Sequence, residues 1–142
     1  RLSQKVGFKD PRLVKDSKIT IQNKKIEEKI GYIDFFSATY RLFKLDDLEP
    51  DCEDYGQAVV YKGTIEHEER VFVLDGHHKI EAGRVFPVCG NTNMMLKDTR
   101  FARHFEFIGD TTNHFGIYAN CGRDLPFEGA NEGGVGGGGS CC

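Results

Sequence analysis

The sequence predicts an α+β chain in two pieces, and three observations carry this. Residues 1 to about 48 alternate helical and strand-like stretches. An acidic run, LDDLEPDCEDYG, follows, with no Lys or Arg between Lys44 and Lys62. Beyond it, short β-type segments are interrupted by one helical stretch, and the chain ends in NEGGVGGGGSCC. The expected units are residues 1–48, a small mainly β unit with one helix at 49–125, and a flexible Gly-rich tail at 126–142 carrying a cysteine pair.

The opening RLSQKVGF reads as the last turns of an amphipathic helix, with Leu2 and Val6 on one face and Gly7 closing it. A turn at Pro11 leads into a strand over Arg12–Gln22, where Ile19 and Ile21 alternate. Asn23 is the expected N-cap of the helix KKIEEKI, and Gly31 its stop. YIDFFSATYRLFKL (Tyr32–Leu45) is aromatic and β-branched, which predicts a long strand with Phe35, Phe36, Tyr40 and Phe43 in the core. Three strands are expected over Gln57–Ile65, Val71–Glu81 and Arg84–Cys89, the last two joined by a hairpin turn at Glu81-Ala82-Gly83. TNMMLKDTRFARH (Thr92–His104) reads as a helix burying Met95, Leu96 and Phe101, with short strands expected at Phe105–Ile108 and Phe115–Ala119.

The chain has 142 residues, 39% hydrophobic and 29% charged, the balance of a globular protein. A formal net charge of −3 gives no support for nucleic acid or an anionic membrane as partner. No apolar run nears the roughly 20 residues of a membrane span. The absence of an initiator Met and of a signal peptide leads us to expect a piece of a longer, cytoplasmic protein. Five cysteines without framework spacing argue against a secreted disulfide scaffold, and in a reducing compartment they are expected to stay free for soft ligands.

His77-His78 invites a metal reading. On the expected strand the two would point to opposite faces, Asp75 and His77 would share one, and no third ligand is evident. A hydrogen-bonded surface or interface histidine is the better expectation. Cys89, ending an apolar strand, and Cys121 read as buried structural thiols. GGVGGGG lacks the strand, helix and GK[ST] ending of a phosphate loop and reads as a linker. Cys141-Cys142 is either part of a plain disordered tail or a mobile dithiol, which about ten flexible residues would carry roughly 17 Å on average. Cys52 sits among carboxylates that disfavour a thiolate, a poor place for a nucleophile. It is either incidental or a ligand.

TIQNKKIEEKIG, FFSATYRLFKL, CEDYGQAVVYKGTI, LDGHHKIEAGRVFPVCGN and TRFARHFEF, in that order over residues 2–122, resemble the C-terminal half of arsenite S-adenosylmethionine methyltransferases of microbial and algal type. The C-terminal double cysteine is similar to tails in that family. The resemblance implies that residues 1–48 end a Rossmann-type methyltransferase domain and that the remainder is the smaller domain closing the arsenic site. It implies methyl transfer from S-adenosylmethionine to thiol-bound trivalent arsenic, completed by a thiol reductant such as glutathione or thioredoxin. Cys52 matches a family arsenic ligand, and Cys141 and Cys142 are further candidate ligands. A cytoplasmic monomer without nucleic-acid or membrane partners is expected. The family's glycine-rich cofactor loop and acidic ribose partner are missing, so no cofactor-binding or catalytic acid–base residue is expected in this chain, and alone it should methylate nothing. Gly76 stands where many relatives carry an acidic residue. Soft thiolates suit arsenic, and methyl transfer from a sulfonium needs in-line positioning rather than a general acid/base triad. Two rival readings stand: a non-enzymatic thiol-based metalloid-binding or interaction module, and a methyltransferase-like domain for another soft substrate.

Overall fold

The computed structural model describes residues 2–31 and 33–118, and everything structural below concerns those residues. A single helical turn, α1 (Leu2–Lys5), ends where Gly7 takes φ +95° and the Phe8 N–H donates to the Ser3 carbonyl at 3.0 Å. Strand β1 (Arg12–Ile19), helix α2 (Lys24–Ile30) and strand β2 (Phe35–Arg41) follow. Asn23 caps α2 as expected, its Oδ1 accepting from the N–H groups of Lys25 (3.0 Å) and Ile26 (3.3 Å). The Gly31 φ of +65° ends the helix in a region that only glycine enters cheaply.

β1 and β2 form an antiparallel ribbon running from Arg12 opposite Arg41 to Ile19 opposite Phe35. Both strands are shorter than the sequence predicts. Phe35 and Tyr40 are about two-fifths exposed, and of the expected core aromatics of this segment only Phe43 joins the core cluster. The reason is architectural: the ribbon projects from its Arg12/Arg41 end, so its aromatic face meets no second layer among the described residues. The described pairings are antiparallel ladders plus one parallel bridge, Tyr61 to Ala82, with few and short helices, which is α+β character.

The second part contains β3 (Glu53–Asp54), β4 (Gln57–Tyr61), β5 (Val71–Val73), β6 (Lys79–Glu81), β7 (Val85–Val88), α3 (Gly90–Lys97), a 3₁₀ turn (Ala102–His104), β8 (Phe105–Ile108) and β9 (Gly116–Ile117). β4 lies between β7 and β8, and α3 packs on the β4 and β8 side. Val59, Tyr61, Phe72, Leu74, Ile80, Val88, Met95 and Leu96 are almost wholly buried, and this is the core. Its aromatic heart is Phe72, edge-on to Phe101 (centroids 5.1 Å) and to Phe105 (5.3 Å), with Tyr61 5.1 Å from Phe105. The Tyr61 hydroxyl is satisfied, donating to the Glu68 carbonyl at 3.0 Å and accepting from the Ile65 N–H at 3.1 Å.

Four expectations change here. Val71–Glu81 is not one strand but the hairpin β5–β6, because residues 74–78 form its connection. Glu81-Ala82-Gly83 turns the chain from one sheet to another rather than closing a hairpin. The long helix over 92–104 divides: α3 starts earlier, at Gly90, and a 3₁₀ turn follows separately. Glu53–Asp54, in the acidic run, pair with Gly116–Ile117 as strands. Met95, Leu96, Phe101 and Cys89 are buried as expected. Ala119, Cys121 and the Gly-rich tail with Cys141 and Cys142 lie outside the described residues.

Candidate functional site

The acidic segment reaches Cys52 along a path fixed at both ends. Leu48 is buried in the core. The Lys9 ammonium donates to the carbonyls of Asp46 and, at 3.4 Å, of Leu48. Beyond Leu48, Asn91 grips the next residue by both backbone groups: its Oδ1 accepts from the Glu49 N–H at 2.8 Å, and its Nδ2 donates to the Glu49 carbonyl at 2.9 Å. The same Nδ2 reaches Asp10 Oδ2 at 3.3 Å. On the far side, the Tyr118 N–H donates to the Cys52 carbonyl at 3.1 Å, and the Phe115 N–H donates to the Asp54 carbonyl at 2.8 Å.

The carboxylates of this run are not merely solvated. Tyr55 donates its hydroxyl to Glu49 Oε1 at 2.6 Å, and this bond raises the Tyr55 pKa, with smaller help from desolvation. The other oxygen, Glu49 Oε2, is buried without a hydrogen-bond partner among the described residues. A Cβ on Gly90 would come within 2.9 Å of the Tyr55 ring and 3.1 Å of Glu49 Oε2, so the α3 start must be glycine for this packing. Glu53 Oε2 meets His114 Nε2 at 2.8 Å.

Cys52 itself is half-buried and its sulfur is held in a disulfide, whereas Cys89 is free and fully buried. The expectation of free thiols therefore holds for Cys89 and fails for Cys52. Cys52 sits on a loop, while Cys89 lies at the start of α3, where its Sγ accepts from the Thr92 N–H at 3.5 Å as the helix cap.

Beside this loop lies a buried polar cluster that sequence patterns did not disclose. Arg12 donates through Nη2 to Asp10 (2.9 Å) and through Nη1 to Asp75 (3.2 Å). Asp75 Oδ1 accepts from the N–H groups of His77 and His78, each at 2.9 Å, and pairs with His78 Nδ1 at 2.7 Å. His78 Nε2 then lies 3.4 Å from Thr92 Oγ1. So Asp75 pairs with His78, not His77, and His78 is buried rather than a surface histidine, because residues 74–78 turn instead of running extended. Gly76 completes the docking by donating its N–H to the Leu13 carbonyl at 2.9 Å. Among the described residues, no three of His, Cys, Asp and Glu come together to hold an ion.

Burial pushes the Asp75 carboxyl up, but His78 and the Arg12 charge outweigh it and hold it far below the usual carboxylate range. Burial lowers His78, and the Asp75 charge only partly opposes this. The neutral imidazole therefore donates from Nδ1 to Asp75, leaving Nε2 to accept from Thr92. Because the unfolded His78 takes a proton near pH 6.5 and the folded one at lower pH, stability is complete above about pH 6.5 and falls as pH drops below it. Asp75, with its depressed value, adds a further loss below about pH 4. Denaturant unfolding from pH 7.5 to 5 should show the first decline, with a slope of up to about 1.4 kcal/mol per pH unit for one proton, and His78→Gln should flatten it.

The grip on Glu49 is also testable. Asn91→Leu keeps the side-chain size but orphans two backbone groups of Glu49, at an expected cost of about 1–3 kcal/mol. If Asn91 places the loop, alkylation of reduced Cys52, read by peptide mass spectrometry under native conditions, should change rate while Cys89 stays slow. An unchanged Cys52 rate would leave Asn91 with a purely structural role.

Residues 55–142 match the family model described as arsenite methyltransferase C-terminal domain. The chain is 57% identical over 141 residues to an arsenite methyltransferase of Aquipseudomonas alcaligenes, covering 99% of this chain and 40% of that protein. It is 41% identical to the Homo sapiens arsenite methyltransferase, over 73% of this chain and 27% of that protein. The crystal structure of CrArsM, an arsenic (III) S-adenosylmethionine methyltransferase from Chlamydomonas reinhardtii, superposes with a TM-score of 0.77 at 41% identity, covering 84% of this chain and 40% of that one. The chain thus spans well under half the length of these relatives, and it belongs to the arsenite methyltransferase family.

Proposed function

We propose that this chain is the arsenic-binding C-terminal part of an enzyme that methylates trivalent arsenic, with Cys52 as a thiol ligand. The observation that carries this is the fixed approach to Cys52: Asn91 clamps Glu49 on one side and the Tyr118 N–H holds the Cys52 carbonyl on the other. A half-buried cysteine is thereby held at a defined point of the fold. The substrate end of the chemistry needs no thiolate. A neutral thiol displaces hydroxide from trivalent arsenic hydroxide, its proton leaves in the water formed, and a sulfur–arsenic bond remains. The disulfide at Cys52 must first be reduced, which is one task for a thiol reductant of the glutathione or thioredoxin kind.

The described residues do not fit the methyl donor. They contain no parallel strand–turn–helix unit with a glycine-rich turn, so no step is assigned to S-adenosylmethionine here. In this reading the cofactor is bound elsewhere in the protein, and the β1–β2 ribbon is the antiparallel end of that Rossmann-type sheet, an arrangement that doubly wound sheets tolerate. Residues 49–125 are then the arsenic-site domain, and Cys141 and Cys142 a tethered dithiol that exchanges with it. The compartment is taken as cytoplasmic and the protein as monomeric. No helix among the described residues is long and apolar enough to cross a membrane.

Equilibrium dialysis of reduced chain and intact protein against arsenite tests the division. Stoichiometric binding by the intact protein with only weak binding by the chain supports a dependent part of the site. Equally tight binding by the chain alone supports the rival metalloid-binding module.

A further inference from the structure

A cavity lies beyond the C-terminal end of α3, while the Cys52 loop is held at its N-terminal end. The eight residues of α3 separate the two by roughly 12 Å. The cavity has a volume of about 300 Å³ and is lined by Arg41, Arg100, Arg103, Glu68 and His104 over a floor that includes Phe72 and Phe101. Three guanidiniums face one carboxylate, an excess of two positive charges in a chain whose formal net charge is −3. None of these arginines has an ion pair among the described residues.

Each guanidinium is nevertheless held in place. Arg41 Nη1 donates to the carbonyls of Val73 (2.8 Å) and Leu74 (2.9 Å), and its plane lies over the Phe72 and Phe101 rings at 5.3 and 5.6 Å. The Arg100 guanidinium also lies over the Phe101 ring, 5.1 Å from its centroid. Arg103 Nε donates to His104 Nε2 at 3.0 Å, so His104 carries its proton on Nδ1, toward Thr64 Oγ1 at 2.6 Å. Burial presses the Arg41 pKa down; Glu68 opposes this and Arg100 adds to it. An aromatic-backed guanidinium pair, Arg41 half-buried and Arg100 exposed, is poised for a carboxylate, which it can meet in the bidentate geometry guanidinium favours. Glu68 argues against a bare anion as the only occupant. Its Oε2 is buried without a hydrogen-bond partner among the described residues, a position that calls for a donor. The volume, at the low end for ligand sites, limits the occupant to a small molecule.

We propose that this cavity binds a free α-amino acid, with its carboxylate on the Arg41–Arg100 guanidiniums, its ammonium on Glu68 and an apolar side chain against Ile65 and Phe101. The site is independent of the arsenic reading, since it shares no residue with the Cys52 loop.

Isothermal titration of the intact protein with L-leucine, 4-methylpentanoate, isoamylamine and inorganic phosphate tests it. L-leucine should bind saturably, and the two half-ligands at least about tenfold more weakly, as expected when one charged hydrogen bond is lost. Glu68→Gln and Arg100→Gln should each weaken L-leucine by a similar factor. Neither side chain takes part in a hydrogen bond within the described fold, so both variants should stay folded, as circular dichroism would show. The proposal is overturned if L-leucine gives no saturable heat, if 4-methylpentanoate or phosphate binds as tightly as L-leucine, or if Glu68→Gln leaves L-leucine affinity unchanged.

Discussion

Replacing Cys52 by serine in the reduced, intact protein is expected to weaken arsenite binding at least about 100-fold, more than the 10–100-fold that loss of an outer-shell partner costs a metal site. The substitution exchanges a soft sulfur for a hard oxygen that water already supplies in excess, so a Ser–arsenic bond gains nothing over the hydroxide it replaces. The fold should survive, because the Cys52 contact that matters to the backbone is its carbonyl, which accepts from Tyr118 whatever the side chain. Cys89→Ser is the control. That thiol is buried at the N-cap of α3 with Thr92 as its neighbour, and its loss should leave arsenite affinity unchanged. The pH dependence of the association rate separates two accounts of Cys52, because the condensation releases no net proton and the affinity is flat in either case while thiol and arsenic hydroxide keep their protons. If the neutral thiol attacks, the rate should be nearly flat below about pH 7.5. If the thiolate attacks, the rate should climb about tenfold per pH unit toward the ordinary thiol pKa. The surrounding Asp and Glu side chains favour the first outcome, since they disfavour a negative sulfur.

What the sequence disclosed and what it withheld divide along contact range. Asn23 as a cap, Gly31 as a stop, and Met95 and Leu96 as core are signals written within one or two turns, and all were legible. The polar cluster was not, because its partners are far apart in the chain: Arg12 and Asp75 are separated by 63 positions, Asn91 and Asp10 by 81. Asp75-Gly76-His77-His78 looked like strand because apolar residues flank it on both sides. The structure makes it a loop because Asp75 accepts from the N–H groups of the two histidines that follow, a local turn that competes with extension. The exposed Phe35 and Tyr40 mark the opposite failure: β propensity identified the strand but carried no information on whether anything covers its face. From its own surroundings Cys52 was legible only as a thiol in an acidic run, and its reading as a ligand came from the family resemblance. That Asn91 holds the approach to it emerges once α3 is placed beside the loop.

The buried charges set the second large effect. Arg12→Ala should destabilise the fold by about 3–5 kcal/mol, because Asp10 and Asp75 would remain buried beside each other without their shared cation. Denaturant unfolding measures this as a lower midpoint at unchanged slope. Arg12→Lys should recover only part of the loss: an ammonium is a point charge and cannot reach two carboxylates through separate nitrogens as Nη1 and Nη2 do. The consequence should extend beyond stability. Asp10 Oδ2 accepts from both Arg12 and Asn91, and Asn91 in turn grips Glu49 three residues before Cys52. Freed from Arg12, Asp10 draws harder on the same Asn91 amide and competes with the Glu49 carbonyl for its donor. Arsenite affinity of folded Arg12→Lys protein should therefore fall, while in Lys18→Ala, which removes the exposed Lys18–Asp34 pair at 2.7 Å on the outer ribbon, stability and affinity should both stay near wild type. Equal affinity in Arg12→Lys and wild type would confine the cluster to a structural role and separate it from the arsenic site.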